Sequence, residues 1–285
     1  MRGDSASGSL ARAADWIADY MGLNSPLERR SDLQHQLGRA APELGFASID
    51  ELVTAMLGGA LTAEQQDLLV SNLTVGETYF LRHHPAFDAL TRTVVPDLLG
   101  RELTRRPLRV WSAGCSNGAE PYSISIALTN AQSASREFDF KVLATDIDRK
   151  ALSLGRKAVF NRWALRDTST SLVKDCFEER SAGEFVLDPR YRQPVSFEYF
   201  NLVGPSSSPT SEVQGFDVIF CRNVLIYFSP EHRAMAAERL QSALVEGGYL
   251  FVAPAEVSTG LFAGLLPREI DGAFVFQKLG QTPRP

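Results

Sequence analysis

Four residues of the right chemical type stand at the ends of hydrophobic runs: Glu120 after LRVWSAGCSNGA, Asp146 after FKVLAT, and Arg222 with Asn223 after FDVIFC. In a sheet whose strands all ended on one rim, these side chains would meet above it. The carboxylates would accept hydroxyl or ammonium groups, and the guanidinium would donate to an anion. Gly114 and Gly118 lie in the first run and permit a tight turn with close approach of a ligand to the backbone. Two glycines four apart fall short of a dinucleotide fingerprint, so the turn suits either a nucleotide-like cofactor or the plain packing of a helix on a strand. Asp146 suits a ribose, whose hydroxyls it would accept, or a cap for RKALSLGRK, although Asp148 is better placed for that cap. Tyr227 follows closely enough to share the pocket of Arg222 and Asn223; the alternative is a buried packing ring beside a surface ion pair.

Strands must carry these residues and helices must space them. Candidates at 108–114, 140–147, 195–202, 216–223 and 248–254 alternate with mainly helical stretches, which predicts an α/β fold: a doubly wound, mainly parallel sheet covered on both faces. Ile124, Ala127 and Leu128 would face that sheet from the helix after the glycine turn. Residues 11–95 place apolar side chains at three- and four-residue intervals in ARAADWIADYMGL, SIDELVTAML and TAEQQDLLVSNL, and read as an N-terminal all-α domain. Ser48 and Thr62 are its expected N-caps, with Glu51 in capping-box register to Ser48. Residues 96–280 then form the ligand-binding domain. The stretch 158–194 is too long for a simple connection, and FVLDPRYRQPVSFEYF predicts a small antiparallel β insertion. GPSSSPTS (204–211) reads as a polar connector, and the ending QTPRP resembles an interdomain linker.

Composition limits the partners. With 44% hydrophobic residues in 285 the chain can bury one large core or two modest ones, and a net charge of −5 argues against a general nucleic-acid-binding surface. Cys115, Cys176 and Cys221 are an odd number without metal-ligand spacing, which fits a reducing cytoplasm rather than a disulfide framework. The start MRGDSASGSL has no continuous apolar core, and no run of 18 apolar residues occurs, so no membrane insertion is expected. His83 and His84 are adjacent and lack a third ligand at metal-site spacing; they are expected on the surface at a helix start, with no metal site. Cys115 and Cys221 are expected as small buried packing residues.

The motifs GETYFLR (76–82), WSAGCSNGAEPYS (111–123), ATDID (144–148), FNL (200–202) and FDVIFCRNVLIYF (216–228) occur in an order and spacing that resembles the CheR-type chemotaxis receptor methyltransferases. The resemblance spans nearly the whole chain. It implies a class I methyltransferase (Rossmann-like) sheet, S-adenosyl-L-methionine as cofactor with S-adenosyl-L-homocysteine as product, and methyl ester formation on glutamates of a chemoreceptor cytoplasmic domain. It carries cofactor contacts onto Thr78, Arg82, Glu120, Asp146, Asn201, Leu202, Arg222 and Asn223, and Gly114 of the glycine turn is then expected to allow close approach of the cofactor. Gly76 stands where such proteins commonly have Asn, and Ala119 where they have Glu or Gln, which leaves Glu120 as the one carboxylate of its turn. The loop within ERSAGEFVLDPRY (179–191) looks shorter than in members that bind a receptor tether, so no strong tether binding is expected.

The implied chemistry needs no strong base. A glutamate side chain has a reference pKa of about 4.3 and is already an anion at neutral pH, so the protein must align it with the methyl group and exclude water. Arg82 is expected to face the methionine carboxylate of the cofactor, while Arg222, Asn223 and Tyr227 shape the mouth where the methyl group moves. Arg180, Arg190 and Arg192 are candidates to meet an acidic receptor helix, or merely to solvate a hairpin. Two alternatives remain: a methyltransferase for another protein or a small carboxylate, and a module that senses the cofactor without turnover.

Overall fold

The computed structural model describes residues 3–280 except 25–29, 102–105, 135–137, 182, 205–213 and 258–259. The expected connector at 204–211, apart from Gly204, and the ending 281–285 fall outside the described residues.

Four helices open the chain: α1 (Gly3–Met21), α2 (Arg30–Glu43), α3 (Ile49–Leu57) and α4 (Ala63–Leu73). Their apolar spacing gathers Ile17, Leu37, Leu52, Met56 and Leu69 into one fully buried core. Ser48 accepts a bond from Glu51 N, but the Glu51 carboxylate returns to Ala47 N rather than to Ser48. The reciprocal box forms one helix later, where Thr62 and Gln65 each accept from the other's backbone N–H. Next, α5 (His84–Ala89) and α6 (Val95–Gly100) form one rod interrupted by a π-turn at Leu90–Val94. Pro96 accounts for the interruption, since it has no N–H to give and its ring displaces the carbonyl four residues back. This rod packs on the sheet, with Phe87, Leu90 and Val94 in the same core as Val110, Phe220 and Phe251.

The remainder follows the alternation read from the sequence. In chain order come β1 (Leu108–Ala113), α7 (Ala119–Ala134), β2 (Phe140–Asp146), α8 (Arg149–Lys157), β3 (Val159–Asn161), α9 (Thr170–Cys176), β4 (Phe177–Ser181), β5 (Glu184–Leu187), α10 (Pro189–Arg192), β6 (Val195–Tyr199), β7 (Phe216–Phe220), α11 (Pro230–Ala243), β8 (Leu244–Phe251), β9 (Leu265–Ile270) and β10 (Ala273–Lys278). Seven strands form one sheet in the order β6-β2-β1-β7-β8-β10-β9, and β3-β5-β4 form a separate antiparallel sheet, the insertion. Strands β6, β2, β1, β7 and β8 are mutually parallel. One face of the large sheet packs Trp111, Ile219 and Leu250 against Leu240 of α11. The other packs Val110 and Val218 against Ile124 and Leu128 of α7, with Ala127 partly buried beside them. The chain leaves β1 for β2 on one side and later returns to β7 on the other, so a crevice opens over the carboxyl ends of β1 and β7.

Two features lie outside the sequence reading. Strand β8 starts at Leu244 rather than at 248, and an antiparallel hairpin, β9 with β10, extends the sheet beyond it. Asp271 and Gly272 join the hairpin with φ of 49° and 80°, the geometry of a two-residue type I′ turn, and Asp-Gly is a sequence signal for that turn.

Candidate functional site

A cavity of about 340 Å³ opens over the carboxyl ends of the parallel strands. All of Thr78, Arg82, Gly114, Glu120, Asp146, Asn201, Leu202, Arg222, Asn223 and Tyr227 line it, so the fold brings the expected cofactor and mouth residues, Gly118 apart, to one place. Its roof is a second layer that sequence reasoning did not assign to it. Ile17 and Met21 of α1, Leu33 of α2 and Leu73 of α4 close it, with Asp32 and Gln36 as polar groups. Apolar periodicity marks such residues as buried, but not what they cover.

The floor is built around a charge pair. Glu120 lies in the first turn of α7, where the helix end favours an anion. Its Oε1 accepts from Ser112 Oγ at 2.8 Å and its Oε2 lies 3.5 Å from Arg222 Nη1. Burial pushes the Glu120 carboxyl above its ordinary range, against the pull of the Arg222 guanidinium and the Ser112 bond. Arg222 is only 7% exposed, deeper than the rim position expected of it, and burial lowers its pKa while Glu120 opposes that. Its Nη1 also donates to Arg82 O at 2.8 Å, and its Nε is a buried donor with no partner among the described residues.

Asp146 closes β2 and takes Ser116 N on Oδ2 at 2.7 Å and Asp148 N on Oδ1 at 2.9 Å. Burial raises its pKa, and these backbone bonds counter the rise. The cap of α8 is Asp148, whose Oδ1 accepts from Lys150 N, Ala151 N and Ser71 Oγ of α4. Asp146 is thus free of the capping task, and two of a carboxylate's four or so acceptor positions are in use.

The two glycines differ. Gly114 lines the cavity with φ of 77°, and a Cβ there would collide with the Val224 side chain, so its smallness admits the 222–225 turn. Gly118 does not line the cavity; a Cβ would lie 2.9 Å from the Phe197 ring and 3.2 Å from Gly155 Cα, so it serves the packing of α7 on β6 and α8. The expectation of ligand approach at Gly118 is corrected. Gly76 also lies outside the lining: its carbonyl accepts from Ser116 Oγ at 3.1 Å, and a Cβ there would meet that Oγ at 3.5 Å, an ordinary contact.

The loop 76–82 is stitched to the insertion. Arg166 stacks 3.7 Å from the Tyr79 ring and 4.3 Å from the Trp163 ring, and pairs with Glu77 at 2.5 Å. Phe80 N donates to Ala164 O at 2.8 Å, and Arg82 Nη1 to Glu77 O at 2.8 Å. On the far wall Asn201 Nδ2 donates to Tyr20 O and its Oδ1 accepts from Val203 N, so its amide joins α1 to the sheet. Tyr227 O accepts from Asn24 N at 2.7 Å.

His84 is exposed, with Nε2 3.0 Å from Asp167 O. His83 departs from the surface expectation: it is half-buried, in the left-handed region with φ of 67°, and its pKa is lowered by burial and by Arg222. Cys115 and Cys221 are buried, and burial pushes both thiols well up. Among the described residues no group of three or more His, Cys, Asp or Glu could hold a metal. Arg180 and Arg190 lie 3.7 Å from Glu178 and Asp188 respectively, so the insertion mixes both signs of charge rather than forming a basic face.

One residue went unnoticed in the sequence. Glu256, 3% exposed, accepts backbone N–H bonds from Asn223, Val224, Leu225 and Ala253 between 2.7 and 2.9 Å. Its sequence signal is slight: a glutamate two residues past a proline, just beyond a buried strand.

The set suits a zwitterionic nucleoside: acceptors at Asp146 and Glu120 for hydroxyls and an ammonium, donors at Arg82 and the orphaned Arg222 Nε for a carboxylate. The fold with this set is that of a class I S-adenosylmethionine-dependent methyltransferase. Residues 76–261 match the family model described as CheR methyltransferase, SAM binding domain. The chain belongs to the CheR methyltransferase family, and S-adenosyl-L-methionine is its cofactor. A relative from Rhizobium etli named "Probable chemotaxis protein methyltransferase" is 34% identical over 76% of this chain and 79% of its own. A chemotaxis protein methyltransferase of Pseudomonas putida is 32% identical over 79% and 82%. A Pseudomonas aeruginosa protein named "Probable biofilm formation methyltransferase" is 29% identical over 92% of this chain and 63% of its own. Among the described residues no helix is long and apolar enough to cross a membrane.

Proposed function

We propose that this protein esterifies glutamate side chains of a chemoreceptor's cytoplasmic domain, and so works in the cytoplasm. The observation that carries this reading is the chemical make-up of the cavity. Its described lining pairs acidic acceptors with arginines and contains no histidine, lysine or cysteine. A nucleophile that must lose a proton would call for a base near its own pKa; a carboxylate, ionised above about pH 4.3, does not. The relatives' chemotaxis names agree with such a substrate.

When bound, S-adenosyl-L-methionine supplies an electrophilic methyl group on a sulfonium. In this reading Asp146 accepts the ribose hydroxyls, and Glu120 and Arg82 hold the ammonium and carboxylate of the methionine part. Thr78, Gly114, Asn201 and Leu202 line the cofactor's path. Arg222, Asn223 and Tyr227 set the mouth, and Arg222, neutralised by Glu120, orients an incoming carboxylate without clamping it. A bidentate clamp would stabilise the ground state as much as the transition state. The helices 11–95 and the insertion 158–194 are the elements we assign to receptor docking, with 96–280 as the cofactor-binding domain.

Radiolabelled methyl transfer to receptor-containing membranes tests the reading. Base-labile label on the receptor is the expected result, and base-stable label or none would overturn it. The match to the biofilm-named protein over 92% of this chain favours one second reading, the same ester chemistry on a receptor of another signalling pathway. Label on a different membrane protein would then be seen.

A further inference from the structure

Glu256 carries no part of the reaction as derived so far, yet it has more hydrogen-bond partners than any group on the floor of the cavity. Oε1 accepts from Val224 N at 2.7 Å and Leu225 N at 2.8 Å; Oε2 accepts from Asn223 N at 2.9 Å and Ala253 N at 2.8 Å. Three of the donors are consecutive residues of the turn after β7, and the fourth comes from just past the end of β8. Consecutive N–H groups aimed at one point form an anion-binding concavity, and here the chain fills it with its own carboxylate.

The turn needs such a hold. Asn223 has φ of 60°, a left-handed conformation that costs a non-glycine residue free energy unless its surroundings impose it. Gly114 leaves room for Val224 on one side of the turn, and Glu256 fixes the backbone on the other. Asn223 and Val224 of the same turn, and Tyr227 just after it, line the cavity. Glu256 also adds its negative charge near Arg222, beside that of Glu120.

We propose that Glu256 is a positioning residue for methyl transfer: through four backbone bonds it holds the 223–225 turn, and with it Asn223 and Tyr227, at the mouth where the accepting carboxylate is aligned. The role requires an acceptor-only group at both oxygens. Gln has the same shape, but its NH₂ would face two of the four N–H donors, whereas Asp keeps the anion on a shorter arm. The proposal rests on the assignment of the mouth given under the proposed function.

The test separates turnover from cofactor affinity, because Asp146, Glu120 and Arg82, the groups assigned above to the ribose, ammonium and carboxylate of the cofactor, lie on β2, α7 and the 76–82 loop rather than on the 223–225 turn. In Glu256→Gln, kcat should fall about 100-fold, the scale of a misplaced reacting group. The Kd for S-adenosylhomocysteine should change less than about threefold, and Glu256→Asp should recover part of the turnover. Wild-type turnover in Glu256→Gln, or a loss of affinity as large as the loss of turnover, would overturn the proposal. If Glu256→Gln does not fold, amide hydrogen exchange in the unaltered protein decides. Protection of residues 223–225 equal to that of β7 supports the hold, and exchange at the rate of exposed loops contradicts it. A wild-type protein that transfers no methyl group would remove the proposed function, while product affinity and amide exchange would still judge the role of Glu256.

Discussion

The floor and the roof of the cavity are built differently. On and behind the floor, carboxylates are locked by directional bonds: Asp146 by two backbone N–H groups, Glu256, outside the lining, by four, and Glu120 by the side chains of Ser112 and Arg222. On the roof, Ile17, Met21, Leu33 and Leu73 offer apolar surface, and the layer is tied down by scattered bonds such as Ser71 to Asp148, Asn201 to Tyr20 O and Arg149 to Asp67. Directional bonds fix reacting geometry, whereas apolar cover excludes water and tolerates substitution. Changes to the floor should therefore have the larger effects, on chemistry, cofactor affinity or the fold, and changes to the walls and roof the smaller ones, on affinity.

The largest effect is expected at Asp146. Asp146→Asn puts an NH₂ against a backbone N–H, which costs stability, and removes a charged acceptor from the ribose; calorimetry with S-adenosylhomocysteine should show a Kd raised about 100-fold, a lost bond to a charged group of about 3 kcal/mol. Next comes Arg222→Met, which leaves Glu120 buried without its cation and should cost about 3 kcal/mol in denaturant unfolding. Combined with Glu120→Gln it should cost less than alone, and equal costs would break the pair. Arg82→Ala, on the wall, should raise the Kd for the cofactor about tenfold, one charge-assisted bond; unchanged affinity with lost turnover would move Arg82 from the cofactor to the substrate.

A smaller contrast appears with pH. Burial holds Glu120 and Asp146 above the ordinary carboxylate range of about 4, so in the window just above that range the fold keeps protons the unfolded chain has released. The stability of the cofactor-free protein should therefore fall as pH rises through that window, while product affinity, which needs the anions, rises. Thermal melts of wild type against Glu120→Gln isolate the first trend, and a flat difference would contradict it. The smallest effect concerns the insertion. β4 ends at Ser181 and β5 begins at Glu184, leaving no long loop, so an aromatic-acidic tether peptide should show no binding by calorimetry, and low-micromolar affinity would contradict this.

What could be read in the sequence follows the same division. Hydrophobic runs ending in Glu120, Asp146 and Arg222-Asn223 announced the floor, because a parallel strand and the polar residue at its end are neighbours in sequence. The roof could not be read that way: Leu33 and Leu73 are helix-core residues by pattern, and only the docking of α1, α2 and α4 on the sheet rim turns them into a cover. Glu256 escaped for a related reason, since three of its four partners, Asn223, Val224 and Leu225, lie 31 to 33 residues away along the chain. Gly118 shows the reverse error, a glycine beside a ligand motif whose neighbours are Phe197 and Gly155 rather than the cavity. The β9–β10 hairpin was within reach, its Asp271-Gly272 turn being a local signal.

The central claim is that the floor aligns a carboxylate with a methyl donor. Mass spectrometry of a receptor cytoplasmic fragment after incubation with enzyme and S-adenosylmethionine tests it most directly. The account predicts single added methyl groups on glutamate side chains, removed by alkali and much reduced with Asp146→Asn at subsaturating S-adenosylmethionine. Methyl groups on lysine, arginine or cysteine, or an unmodified receptor beside an enzyme that binds S-adenosylhomocysteine, would contradict it.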